Sequence, residues 1–364
     1  MKIAHIVGKL KAAGVESVVF SYLRAMDREG LEIDVLYDAD STVKPPKDLE
    51  DSGIRFIMIP PYQSLIKYSK EIKRLCRENR YDIVHSHINS LSGFSLRAAK
   101  RGGVKFRIAH NHTSSSKADG KRNIVKLALR PLTRLYATDY AACSENAGRW
   151  MFGDKAFDAG KVKVFNNAIN TEKYKFDVTA REDIRRRYSA ENDFVILHIG
   201  RFVTQKNHHY VIEIFKEFQK QKPDSKLLLV GDGKLLDEIK ELTLSYGLSD
   251  KVVFCGVVND AERYYSAGDA FILPSFYEGL PVVAVEAEAS GIPCFMSDNF
   301  TKECAVTSHV KFLSLSDGAK KWADEIAATE NYDRTSDNLV MKNSKFNIST
   351  CAKDMREYYF EIVK

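Results

Sequence analysis

Short apolar runs alternate with helical patterns along this 364-residue chain, and the alternation restarts near its middle. In the first half the strand candidates are residues 3–7, 31–37, 55–59, 83–85, 106–110, 140–143 and 162–165. Between them Val15, Val18, Val19, Tyr22, Leu23 and Met26 recur at helical spacing, and residues 64–78, 90–100 and 123–136 carry similar patterns. In the second half the strand candidates are 194–199, 226–230, 252–255, 270–273 and 293–296, with helices predicted at 210–220, 235–246, 261–267 and 281–289. Short continuous apolar runs separated by helices are what a parallel sheet covered on both faces requires. One core rarely grows past about 250–300 residues, so two series predict two doubly wound α/β domains. Ligands of such sheets bind beyond the carboxyl ends of the strands.

The boundary is predicted at residue 170, giving domains 1–170 and 171–348, with the polar stretch 171–187 as the junction. Residues 349–364 carry a stripe of Met355, Tyr358, Tyr359 and Ile362 and are expected to return to the first domain. Charge separates the halves as well. The overall +6 divides into +11 over residues 1–170 and −5 over the remainder. The basic half suits an anionic membrane surface or a phosphate-bearing substrate, or simply a solvated lysine-rich surface. Nucleic acid is not expected as a partner, because the basic residues are dispersed and no stacking-aromatic motif accompanies them. No apolar run approaches the ~20 residues of a membrane span, and MKIAHIVGKL reads as a strand rather than a leader, so a cytoplasmic location is expected. Six scattered cysteines without a CxxC pair suggest neither a zinc site nor a disulfide framework.

Three loops carry candidate chemistry. Gly14 follows the first strand and opens the first helix, where free N–H groups suit an anion; it equally suits a turn without a ligand. Gly200–His208, GRFVTQKNH, follows the strand FVILHI and places Arg201 and Lys206 at the ligand edge. Two cations there suit a diphosphate, and two solvated surface cations are the plain alternative. Asn207 has the character of a helix cap. Pro274–Gly291, PSFYEGLPVVAVEAEASG, places Glu278 in a glycine loop and Glu286 in the second turn of a helix that Pro281 is suited to start. Carboxylates accept hydrogen bonds from vicinal hydroxyls, and the N–H groups after Gly279, through Leu280, Pro281 and Val282, stand at a helix start. The plain alternative is a solvated Glu286 and an exposed Glu288.

These segments, with AAGVES and VFNNAIN, resemble the retaining glycosyltransferases of family 4, over essentially the whole chain. The resemblance implies the GT-B fold, two Rossmann-like domains facing an interdomain cleft, with the acceptor on the first domain and a nucleotide-sugar on the second. It implies that Glu278 contacts the transferred sugar, Glu286 the donor ribose, Arg201 and Lys206 the diphosphate, and Gly14 the phosphate side. Backbone after Gly256, near Val257 and Val258, would meet the nucleobase. Two places depart from the family pattern: Ala13 precedes Gly14, and Asn167-Ala168-Ile169-Asn170 replaces the usual turn.

His85 and His87 end one strand candidate, and His110 and His112 another. The resemblance implies an active-site histidine near the anomeric carbon, matched by His112 or by His110, one pleat away. A hydrogen-bonded structural histidine is the plain reading of His85 and an equal one of His87. No metal is expected: no carboxylate or cysteine set accompanies the histidines, and Asp38-Ala39-Asp40 reads as a turn. No cofactor is expected either.

The function expected is transfer of a sugar from a nucleotide-sugar, UDP-linked by preference, to a lipid-linked or glycan acceptor, with retention. The resemblance is strongest to enzymes of bacterial capsule and exopolysaccharide synthesis. It implies a same-face mechanism in which the leaving phosphate oxygen helps deprotonate the acceptor. The alternatives are a nucleotide-sugar epimerase of the same fold and a non-catalytic nucleotide-sugar-binding subunit. Peripheral attachment to the inner membrane face is expected through Lys67, Lys70, Lys73, Arg74 and Arg77, and through Lys117, Lys121, Arg122 and Lys126, with Tyr62, Leu65 and Ile66 beside them.

Overall fold

The structure, a computed structural model, describes residues 1–11, 15–113, 120–299, 301–329 and 334–364, with the backbone alone for 120–123. It divides into two compact units, Met1–Ala168 together with Ile348–Lys364, and Ile169–Asn347. The first holds seven strands: β1 (Lys2–Gly8), β2 (Glu32–Asp38), β3 (Arg55–Ile59), β4 (Ile83–Ser86), β5 (Phe106–Asn111), β6 (Asp139–Ala142) and β7 (Val162–Val164). Their order is β3-β2-β1-β4-β5-β6-β7, and every pairing is parallel. The second holds β8 (Phe194–Ile199), β9 (Ser225–Val230), β10 (Val252–Gly256), β11 (Ala270–Leu273), β12 (Cys294–Ser297) and β13 (Val310–Leu313). Their order is β10-β9-β8-β11-β12-β13, again all parallel. Each sheet therefore reverses its order once, between β1 and β4 and between β8 and β11. The α/β, doubly wound reading of the sequence is what the chain adopts.

Burial explains why the strand runs were legible. β4 and β11 are buried at every residue. In the second unit Val195, Leu197, Leu228, Val230, Phe271 and Leu273 belong to one core. The alternate residues Ile196, Leu227, Leu229 and Ile272 belong to the core on the opposite face. Each such side chain stabilises the unit by about 1.5–3 kcal/mol. β13 gave no such run: it is half-exposed, with Lys311 in its middle.

The stretch expected as a junction is partly a helix, Val178–Arg187, capped by the Asp177 carboxylate, which accepts from Ala180 N at 3.1 Å. Arg181 donates to Asp269 at 2.6 Å, and Arg185 binds the same carboxylate. The charge density there reflects ion pairing to the start of β11 rather than solvation. The last helix, Ile348–Val363, packs on the first, Val15–Ala25, within the first unit. Arg356 ties it down by donating to Asp27 O at 2.9 Å and Glu29 O at 3.1 Å.

Candidate active site

In the second unit, the loops after β8 and β11 meet where the strand order reverses. Lys206 Nζ lies 2.7 Å from Glu278 Oε1, and Gln205 Nε2 donates to Glu278 Oε2 at 3.0 Å. Gln205 also donates to Tyr277 O at 3.0 Å, and its carbonyl accepts from Phe276 N at 2.9 Å. Asn207 is buried, with a left-handed backbone (φ 56°), and donates from Nδ2 to Pro274 O at 3.1 Å; its side chain locks the two loops and does not cap the helix. The side chains of Lys206 and Glu278 are only 13% and 9% exposed, so Lys206 is no solvated cation. Arg201 is exposed and makes no ion pair among the described residues.

The loop after β9 closes on the same place. Gly231 (φ 136°) and Gly233 (φ 156°) pass so near the Gly200–Phe202 backbone that a Cβ on either would lie 2.1 Å from Gly200 O or 2.5 Å from Phe202 O. Only glycine fits these positions. The sequence signal was GDG directly after a strand, which the motif reading passed over.

Eight residues beyond Glu278, Glu286 is partly buried rather than solvated. Tyr174 donates to its Oε1 at 2.7 Å and Tyr265 to its Oε2 at 2.8 Å. Burial raises its pKa above the ordinary carboxylate range, and the two hydroxyls pull against that rise. A carboxylate has about four lone-pair positions, so acceptor capacity for sugar hydroxyls remains. Neither tyrosine carried a sequence signal. Pro281 precedes the helix Val282–Ala289 instead of starting it, with Leu280 buried and Val282 packed on the core. Gly279 is half-buried, and Val258 packs on the same core while Val257 is 70% exposed.

Glu288, exposed in the plain alternative, is 1% exposed. Its Oε2 accepts from Val306 N and Thr307 N, both at 2.8 Å, and burial pushes its pKa up to about 7. It sits on the opposite helix face, where it ties down the loop before β13.

In the first unit, the corresponding reversal is lined by histidine. His5 on β1 and His85 on β4 are register partners; His110 lies on β5, and His87 and His112 lie one residue past the ends of β4 and β5, two positions after His85 and His110. All five are buried. Their nitrogens pair in a chain: His112 Nε2 with His87 Nδ1 at 3.1 Å, His87 Nε2 with His5 Nδ1 at 3.0 Å, and His5 Nε2 with the Tyr359 hydroxyl at 3.5 Å. Tyr359 meets His85 Nδ1 at 2.7 Å, and His85 Nε2 meets His110 Nδ1 at 3.1 Å. His110 Nε2 is left buried without a partner, at a typical penalty of about 1–3 kcal/mol. Burial drives His5 and His112 down to about 3 and the other three well below the ordinary range, so the rings are neutral. The sequence reading grouped four of these residues and missed His5 and Tyr359.

Gly14 and Lys117 lie outside the described residues, as do the side chains of Lys121 and Arg122. Asp38 is buried at the end of β2, with its pKa pushed up to about 6 mainly by burial, whereas Asp40 pairs with Lys9 at 3.3 Å.

The model of the Glycosyltransferase Family 4 domain matches residues 12–173, and that of Glycosyl transferases group 1 matches residues 180–345. A relative designated glycosyltransferase EpsF in Bacillus subtilis (strain 168) is 31% identical over 90% of this chain and 87% of its own. The chain belongs to the family 4 glycosyltransferases. The Escherichia coli UDP-Gal:alpha-D-GlcNAc-diphosphoundecaprenol alpha-1,3-galactosyltransferase is 27% identical over 84% of this chain and 81% of its own. The Staphylococcus aureus capsular polysaccharide biosynthesis glycosyltransferase CapH is 23% identical over 99% of this chain and 98% of its own. Among solved structures, Anabaena HepE in complex with UDP superposes with a TM-score of 0.81 at 20% identity, covering 99% of this chain and 100% of that one. This family 4 glycosyltransferase thus has the GT-B architecture, each unit a parallel sheet with its candidate residues at the strand reversal.

Proposed function

We propose that this glycosyltransferase moves a sugar from a UDP-sugar to a lipid-linked saccharide, with retention, in the synthesis of a bacterial surface polysaccharide. The observation that carries the donor reading is the low-exposure Lys206–Glu278 pair, set at the strand reversal beside the start of the helix that bears Glu286. Lys206 and Arg201 would meet the diphosphate, Glu278 the hexose hydroxyls and Glu286 the ribose. The loop at Gly279–Val282 would offer N–H groups to donor oxygens, and the backbone at Val258 would meet the base. A relative's name gives UDP-Gal as donor and a diphosphoundecaprenol-linked acceptor, and a structural neighbour was solved with UDP and glucose.

In this reading the sugar's C1–O bond to phosphate breaks as the acceptor oxygen bonds C1 on the same face. The acceptor proton passes to the departing phosphate oxygen. Lys206 and Arg201 stabilise the charge that grows on that oxygen, which preorganised cations do at no reorganisation cost. His112 orients the sugar. The chain's own cations serve the diphosphate, so the reading requires no divalent ion there.

The first unit would hold the acceptor against an anionic membrane. No helix among the described residues is long and apolar enough to cross one. Lys67 and Lys70 are exposed near Leu65 and Ile66, the latter 86% exposed, and Arg77 is exposed farther along the same helix. Arg74 is tied to Glu71 and Glu78, and Tyr62 packs on the core, so neither serves. The helix Gly120–Tyr136 adds exposed Ile124, Val125, Leu127 and Leu135, an apolar contribution that the charge pattern had not indicated.

The test is turnover of UDP-, GDP- and ADP-sugars with lipid-linked saccharides, with the product anomer read by NMR, alongside flotation with anionic and neutral liposomes. Transfer from a UDP-sugar with retention and salt-sensitive binding to anionic vesicles are expected. An altered nucleotide-sugar released without acceptor would replace transfer with epimerisation. Failure to float with either vesicle would remove the membrane claim alone.

A further inference from the structure

The histidine chain in the first unit has a property that the transfer reading does not use. One ring nitrogen from each of His87, His110 and His112 lies within 4.8 Å of the other two, and a second such triad is His5, His85 and His87. A cavity of about 10 Å³ opens among His5, His87, His110 and His112, closed by Val18, Val19, Tyr22 and Met355. That is about the room one water requires. It admits a single small ion and no organic ligand.

We propose that His87, His110 and His112 form a site for one late first-row transition-metal ion of the Zn²⁺ class. Three observations point there together. The ligands are three imidazoles that adjacent parallel strands deliver to one end of the sheet. His110 Nε2, on a side chain 3% exposed, has no partner. The spacing is also near that of a metal site: His87 Nδ1 and His112 Nε2 are 3.1 Å apart, and a tetrahedral ion with Zn–N of about 2.0–2.1 Å sets its ligands about 3.3 Å apart. Neither triad includes a carboxylate or thiolate, which argues against Mg²⁺, Ca²⁺ and Mn²⁺.

The surrounding hydrogen bonds allow it without removing a proton. To offer lone pairs to an ion, His87 must carry its proton on Nε2 and His110 on Nδ1. The first donates to His5 Nδ1, which turns His5 Nε2–H toward Tyr359. The second donates to His85 Nε2, which turns His85 Nδ1–H toward the same hydroxyl. A phenol oxygen has two lone pairs, so Tyr359 accepts from both sides and every ring stays neutral. His5, His85 and Tyr359 then form the outer layer that fixes ligand tautomers. An ion held there would fix the His112 ring in one orientation, which is compatible with its positioning role above.

The experiment strips the full chain with a chelator and titrates it with Zn²⁺ by equilibrium dialysis and with Co²⁺ by absorbance. One ion per chain, a Zn²⁺-dependent rise in unfolding temperature and the visible band of tetrahedral Co²⁺ are expected. His110→Ala should lower affinity at least tenfold. Tyr359→Phe, which keeps the volume and touches only the outer layer, should lower it about tenfold; it supplies the test if His110→Ala does not fold. His209→Ala, at a half-exposed histidine of the second unit that pairs with Glu238, should change nothing. No Zn²⁺ uptake at micromolar concentration, or uptake indifferent to both cluster variants, overturns the proposal. Bound metal is read without turnover, so this failure is distinct from failure of the transfer reading.

Discussion

The two strand reversals solve the same geometric problem with opposite chemistry. Between β8 and β11 the polar groups are charged and paired, Lys206 with Glu278, beside the exposed Arg201. Between β1 and β4 they are neutral rings, sealed under the first and last helices. A parallel sheet of this kind leaves a crevice at each reversal, and what lines it sets its electrostatics. Charged groups can meet a diphosphate. Neutral imidazoles can pass hydrogen bonds, orient a sugar or hold a metal, but they repel no cation and attract no anion.

The comparison breaks first, and most visibly, at Lys206. Lys206→Ala is expected to cost transfer about 3–4 kcal/mol, some hundred- to thousandfold. It also strands Glu278, 9% exposed, and breaking a buried pair from one side typically costs about 3–5 kcal/mol of stability. Lys206→Ala with Glu278→Gln should restore most of the stability and none of the activity, by steady-state kinetics and urea melts. Near-normal turnover in a folded Lys206→Ala chain would end the diphosphate assignment.

Acid should separate the two regions next. The His5 and His112 rings have folded pKa values of about 3 against an ordinary 6.5. Between those values the unfolded chain binds more protons. The stability is therefore present above pH 6.5 and is lost as pH falls toward 3. At pH 5 each ring kept neutral costs about 2 kcal/mol. The second unit also buries His198 and His208 as neutral rings, held down to about 4 and about 2. Its Glu286 and Glu288 are raised, however, and oppose the loss. Each unit has one tryptophan, Trp150 in the first and Trp322 in the second. Single-tryptophan variants followed by fluorescence should lose the Trp150 signal at the milder acidity. Coincident loss would contradict the contrast.

Smaller effects sharpen it. Glu286→Ala should weaken UDP about 10- to 30-fold in calorimetry, the equivalent of about 1.4–2 kcal/mol. Glu278→Ala should leave UDP affinity near normal and weaken the intact donor. Equal UDP affinity for wild type and Glu286→Ala would contradict the ribose role. The smallest effect on transfer is expected at Glu288. Its folded pKa of about 7 lies above the ordinary 4.5, so the folded chain holds that proton more tightly. Its contribution is full below pH 4.5 and is lost as pH rises through 7. Glu288→Gln should flatten that pH dependence in melts between pH 5 and 8, by at most about 2–3 kcal/mol across the window; an unchanged dependence would assign it elsewhere.

How much of this was legible follows from the range of each signal. Strand candidates 194–199 and 270–273 match β8 and β11, because a strand buried on both faces is a local apolar run. The edge strand β13 lacked such a run and was missed. At the site, Arg201, Lys206 and Glu278 were visible because each lies in a loop just past a strand, with a glycine marking the turn, and Glu286 because Pro281 marks the start of its helix. GDG at 231–233 was as local, yet its meaning depends on a second loop crossing it.

The sequence by itself determined the two parallel sheets, and with them which loops stand at a ligand edge, since periodicity and turn chemistry act over a dozen residues. Only the tertiary structure decided what those loops touch. His5 meets His87 across 82 positions, and His85 meets Tyr359 across 274. Tyr174 reaches Glu286 across 112, and Glu288 accepts from Thr307 across 19. No local pattern encodes such partners: a buried polar group must find a hydrogen bond wherever the packed chain brings one, and that place is set by the whole fold.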